Sequence, residues 1–92
     1  MVTAISLLNV SRDRIHELAN ELVEMKGITE VYSVSGRYDL AVVIRAKDNE
    51  QLEELITDHM LKSQGIEKSE TLIAFRAYSQ HDLERMFSIG ID

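Results

Sequence analysis

The sequence predicts an α+β fold in which four strands and two helices follow one another as β-α-β-β-α-β, with a further helix at the end. Three observations carry that prediction. Two β-branched runs, Ile28 to Ser35 and Asp39 to Ala46, flank a short polar bridge containing Gly36, the pattern of a β-hairpin. Two segments, one before that hairpin and one after it, repeat apolar residues at the i, i+3, i+4 spacing of a helix with one buried face. Strand-like runs open and close the arrangement, from Val2 to Val10 and from Ile66 to Tyr78.

Each element has its own signals. Val2 to Val10 is apolar at most positions without clean alternation, as in a central strand covered on both faces. Ser11 is a good N-cap, and Asp13 falls in the first turn, where negative charge suits the helix dipole. Ile15, Leu18, Ala19, Leu22 and Val23 form the first helical stripe, and Gly27 closes it. Asp48 with Gln51 three residues on is a capping-box pattern. Leu52, Leu55, Ile56, His59 and Met60 form the second stripe, which places His59 at the edge of the core. Gly65 marks the next turn. The last strand starts polar and ends apolar, so an edge or an exposed end is expected for it. Ser79 caps a last short helix with Leu83, Met86 and Phe87 on its apolar face.

Right-handed crossovers arrange these elements as a ferredoxin-like βαββαβ unit. The sheet is antiparallel and four-stranded, with the first and third strands in the middle and both helices on one face. Leu40 to Ile44 and Leu72 to Phe75 are apolar at adjacent positions, and adjacent strand residues point to opposite faces. The face without helices therefore needs a partner. A two-fold dimer with its sheets packed face to face, a dimeric α+β barrel, is expected.

Composition narrows the function. Ninety-two residues make one domain, 1–92, too short for a large interior. The absence of cysteine removes disulfides and thiolate metal ligands, which leaves self-association as the usual stabiliser. A net charge of −6 with no run of Lys and Arg argues against direct nucleic-acid binding by this chain. Val2 to Val10 is too short to span a bilayer and no basic region precedes it, so a cytoplasmic protein without membrane contact is expected.

Catalytic chemistry has little support. His16, His59 and His81 are far apart and form no metal spacing. No paired carboxylates sit in an apolar setting, and no Gly-rich loop precedes a Lys-Ser/Thr pair. No catalytic residue, metal or cofactor is expected. The bridge Gly36-Arg37-Tyr38-Asp39 remains, and it reads in two ways. As a plain hairpin turn, Gly36 supplies positive φ, Asp39 bonds locally to backbone and Tyr38 packs. As a clamp, backbone N–H groups at the glycine hold a carboxylate, Arg37 adds a charge-assisted bond and Asp39 accepts from an ammonium. A zwitterion such as a free amino acid fits that clamp.

Val34-Ser35-Gly36-Arg37-Tyr38-Asp39-Leu40 resembles the Gly-x-Tyr-Asp signature of the ligand-binding domain of the leucine- and asparagine-responsive regulators (Lrp/AsnC), also called the RAM domain. Leu52 to Leu61 is similar to its second helix, and Gly65-Ile66 followed by Ser69 and Thr71 to the entry into its last strand. The resemblance covers essentially the whole chain. It implies face-to-face dimers that assemble into octamer-like rings, and a non-enzymatic role binding an effector amino acid between dimers. By position it implies a site of Gly36, Arg37, Tyr38 and Asp39, with Ser69 and Thr71 contributed by a neighbour. Transcription would then be modulated indirectly, through co-assembly with full-length Lrp/AsnC regulators. The sequence begins at the first strand of that domain and carries no helix-turn-helix, so a stand-alone RAM protein is expected, and Gln64 stands where the family commonly has Pro. Two alternatives share the frame. One is a dimeric α+β barrel enzyme of monooxygenase or isomerase type, with His59 in an internal cleft. The other is a passive assembly subunit.

Overall fold

In the computed structural model, which describes residues 1–78, four strands form one sheet. They are β1 (Val2–Val10), β2 (Ile28–Ser33), β3 (Leu40–Ala46) and β4 (Ile66–Ile73), in the spatial order β2-β3-β1-β4. Every neighbouring pair is antiparallel, so the two outer strands are reached by helical crossovers and the two inner ones are the first and third in sequence, as expected. Helix α1 (Ile15–Val23) follows a 3-10 turn at Arg12–Arg14. Helix α2 (Asn49–Glu54) continues as a π-helical segment over Leu55–His59 and a 3-10 turn over Met60–Lys62. The strands are shorter than the sequence reading: β2 stops at Ser33 and β4 at Ile73. The expected C-terminal helix from Ser79 lies outside the described residues.

Register assigns the two faces. Ala4 pairs with Ile44, Ser6 with Val42 and Leu8 with Leu40, so these six side chains share one face, and all are fully buried. Leu18 and Leu22 of α1, with Leu52, Leu55 and Met60 of the second helical region, close over them in one core. Burying each of these aliphatic side chains contributes roughly 1.5–3 kcal/mol. Within α1 the stripe grades outward from Leu18 and Leu22 to a half-exposed Val23. The buried hydroxyl of Ser6 is matched by the Thr71 hydroxyl at 2.8 Å, which joins β1 to β4 without orphaning a polar group.

Along β1, burial alternates, so the strand is central but covered on one side only. On the other face Ile5, Tyr32 and Leu72 are exposed, and Leu7, Ala41 and Val43 are half-buried. Among the described residues no helix or second sheet lies over that face.

Two local expectations need correction. Ser11 makes no side-chain cap; its hydroxyl points across to the Glu67 carboxylate at 3.3 Å, and its backbone N–H donates to the Gly65 carbonyl at 2.8 Å. Ser11 is thus used to tie the start of α1 to the start of β4. His59 does not sit at the core edge but is exposed, because the wider π turn from Leu55 rotates it away from the face that Leu55 and Met60 occupy. Gly27 carries the expected positive φ of 102°, in a turn that begins once α1 has ended at Val23.

The cap at α2 follows the sequence pattern. Asp48 Oδ1 accepts from the Gln51 N–H at 2.8 Å, and Gln51 Oε1 accepts in return from the Lys47 N–H at 2.6 Å. Asp48→Ala removes the acceptor for one N–H of a short helix. It is expected to lower unfolding stability by about 1 kcal/mol, read as a shift in the urea midpoint at unchanged slope.

Candidate functional site

The bridge from Val34 to Asp39 leaves β2, turns at Gly36 and re-enters the sheet as β3. Gly36 has φ 124°, and a Cβ built there would meet nothing within 4 Å. Its glycine is required by backbone conformation alone and not by crowding. The Val34 N–H donates to the Asp39 carbonyl at 3.0 Å and closes the loop.

Asp39 then fixes the loop to the centre of the sheet. Its N–H donates to the Leu8 carbonyl and its Oδ2 accepts from the Val10 N–H, both at 2.8 Å. The carboxylate supplies the acceptor that the next backbone carbonyl of a longer strand would have given, so β1 stays paired beyond the first residue of β3. Asn9 Nδ2 donates to the Arg37 carbonyl at 2.7 Å and holds the other limb. Asn9 was not anticipated from the sequence, since an Asn inside an apolar run carries no signal of its partner.

Between these anchors the backbone N–H groups of Ser35, Gly36, Arg37 and Tyr38 find no acceptor among the described residues. Arg37 is exposed and forms no ion pair among those residues. The loop therefore presents a row of donors and one guanidinium on its outer side. Such a surface is matched to an anion or a carboxylate.

Tyr38 lies over the open face and donates from its hydroxyl to Glu70 of β4 at 2.5 Å. Glu70 is opposite Leu7, so this bond spans β1 and links the bridge to the far strand. Ser69 and Thr71 alternate with Glu70 and lie on the helix side of the sheet. Ser69 is exposed opposite Leu8, and the Thr71 hydroxyl is held by Ser6. Leu8 also pairs with Leu40, so Ser69 and the start of β3 stand on either side of it, about 10 Å apart. Within this chain, then, Gly36, Arg37, Tyr38 and Asp39 form one cluster with Asn9 and Glu70, while Ser69 and Thr71 stand apart from it. His59 lies elsewhere, exposed on an open cleft at the opposite end of the sheet.

The hydrogen bond to Glu70 raises the Tyr38 pKa above its ordinary 10.0, with partial burial and the carboxylate's charge acting the same way and Arg37 opposing. Tyr32 is raised likewise by its hydrogen bond to Glu30, at 2.6 Å. With the folded value raised, each bond contributes in full below pH 10.0 and is lost as pH rises through the folded value. Absorbance titration at 295 nm is expected to show these two tyrosines ionising above 10.0, and Glu70→Gln to return Tyr38 towards the ordinary value while leaving Tyr32 in place.

A protein-family model described as the Lrp/AsnC ligand binding domain matches residues 2–83. The HTH-type transcriptional regulator FL11 of Pyrococcus furiosus is 32% identical over 79 residues, which are 86% of this chain and 52% of that protein. The transcriptional regulator AzlB of Bacillus subtilis is 31% identical over 94 residues, 99% of this chain and 57% of its own. The chain spans about half the length of these curated relatives. Among solved structures, TTHA0845 of Thermus thermophilus superimposes with a TM-score of 0.81 at 41% identity, over 87% of this chain and all of that one. AsnC of E. coli gives 0.80 at 18% identity, over 86% and 54%, a likeness of fold. The βαββαβ sheet, the Gly36–Asp39 bridge and these matches lead to one conclusion: the chain belongs to the Lrp/AsnC ligand-binding domain family.

Proposed function

We infer that this chain is a non-enzymatic effector-binding module of a transcription-regulating system, with the Gly36–Asp39 bridge receiving the polar end of a small molecule. The observation that carries the reading is the run of N–H groups, unpaired among the described residues, beside the exposed Arg37. These donors suit a carboxylate, and a free amino acid is the effector class proposed. A crystal structure of a similarly folded regulator, NMB0573 of Neisseria meningitidis, is of its complex with L-Met. That protein is 11% identical to this chain, so it supports the ligand class as an analogy of fold.

Asp39 enters this reading in a changed role. One of its oxygens is committed to Val10, so it shapes the loop first and offers its remaining oxygen to an ammonium. Ser69 and Thr71 reach the ligand only from a second subunit. The site is therefore proposed to be completed by self-association. The uncovered apolar face with Ile5, Tyr32 and Leu72 supports a face-to-face dimer, and further assembly of dimers would bring β4 of one subunit to the bridge of another. The module would act on transcription by co-assembling with full-length relatives. The barrel-enzyme alternative required a buried His59 in a closed cavity, and His59 is exposed.

Size-exclusion light scattering, run with and without a pool of the twenty amino acids, tests the reading. The expected mass exceeds the 10.5 kDa of one chain, and it or its thermal stability changes with the pool. Arg37→Gln is expected to weaken that response about tenfold, the loss of one charge-assisted bond, while leaving unfolding stability within about 0.5 kcal/mol. Asp39→Ala is a poor probe, because leaving the Val10 N–H without its acceptor costs about 1–3 kcal/mol of fold stability. A mass indifferent to every amino acid would point to the passive-subunit alternative.

A further inference from the structure

At the end of the sheet away from the bridge, the structure assembles a basic cleft that no stretch of the sequence announces. Its volume is about 620 Å³. Lys26 and Gly27 come from the turn before β2, Arg45 to Lys47 from the end of β3, and Gln51, Glu54, Leu55 and His59 from the second helical region. From Asp39 to Ala46 is seven residues of strand, about 23 Å, so the cleft and the bridge are separate.

The floor is apolar: Ala46 and Leu55 are both buried there. Gly27 makes that floor possible. Its carbonyl accepts from the Arg45 N–H at 2.8 Å, and a Cβ on it would stand 2.9 Å from Leu55 Cδ2. The rim is cationic. Lys26, Arg45 and Lys47 are exposed, and none forms an ion pair among the described residues. Three of the ten Lys and Arg of a chain of net charge −6 thus border one concavity, Arg45 from the open face of the sheet. Gln51 is already engaged with the Lys47 N–H, and Glu54 is the one acidic group of the lining.

We propose that this cleft binds a small monocarboxylic acid with an apolar body, its carboxylate held by Lys26 and Lys47 at the rim and its body laid against Ala46 and Leu55. The charge of the rim selects an anion. Glu54 disfavours a multiply charged anion, and the apolar floor disfavours a compact one such as phosphate. The volume lies within the range of small-molecule sites. The proposal is independent of the effector reading at the bridge, since it uses none of the same residues.

The test titrates hexanoate into the full chain and follows backbone amide NMR shifts at Gly27, Arg45, Ala46 and Lys47, with Gly36 and Arg37 as internal controls. Saturable shifts in the first group are expected, and any shift at Gly36 and Arg37, whose donors also suit a carboxylate, should follow its own binding curve and persist in the cleft variants. Lys26→Gln and Lys47→Gln should each weaken binding about tenfold, the loss of one charge-assisted bond, and Glu54→Gln should tighten it. Hexylamine should give no saturable shift, which separates charge recognition from apolar contact. The proposal is overturned by shifts that never saturate, by shifts at Gly36 and Arg37 alone, or by affinity unchanged in both cation variants. Inorganic phosphate saturating the same amides as tightly as hexanoate would overturn it as well. Because the controls report the bridge directly, failure at the cleft leaves the amino-acid reading to be judged by its own experiment.

Discussion

Everything in this fold is hung on the pairing of β1 along both of its edges. Its hydrogen bonds hold β3, and through β3 the hairpin; on the other side they hold β4. Its helix-side residues Ala4, Ser6 and Leu8 are fully buried, so slipping the register by one residue would expose them and bury Ile5 and Leu7 against the helices. The strand also ends where the candidate site begins. The Val10 N–H and the Leu8 carbonyl lie at its end, and both are taken by Asp39. A local feature of the loop is thereby made rigid by the most buried element of the domain, which is the condition for a loop to recognise a ligand without a large ordering cost.

The parts of the fold legible in the sequence are those that depend on short-range pattern. Apolar spacing at Leu18, Leu22, Leu52 and Leu55 located the helices, and Asp48 with Gln51 located a helix start that the structure builds from those two side chains. The hairpin was legible because Gly36 sits between two β-branched runs. What pattern could not supply is any choice among distant partners. Ser11 had a plausible local role and took a long-range one, bonding to Glu67. His59 was misplaced because a helical stripe assumes a constant pitch, and the backbone changes pitch at Leu55.

The same distinction applies to the sites. Gly36 to Asp39 are contiguous, so a motif could point to them. Asn9 and Glu70 belong to the same cluster but lie 28 and 32 residues from their bonding partners, and only the sheet order brings them there. The basic cleft is a stronger case. Lys26 belongs to the turn before β2 and Arg45 and Lys47 to the end of β3, so a search for a charge run finds none, while the fold brings them to one end. Net charge describes the whole surface and says little about such a concavity.

The placement of Met1 on the lining of that cleft has a practical side. β1 runs from the cleft end of the sheet towards the bridge, so its first residue and the hairpin loop are at opposite poles. A purification tag or fluorescent reporter attached ahead of Met1 would emerge beside Lys26, Arg45 and Lys47, crowding that pole while leaving the loop unobstructed. An acidic tag would in addition compete for the three cations. Preparations differing only in their leader peptide are therefore not interchangeable in ligand screens, and the untagged polypeptide is the appropriate reagent.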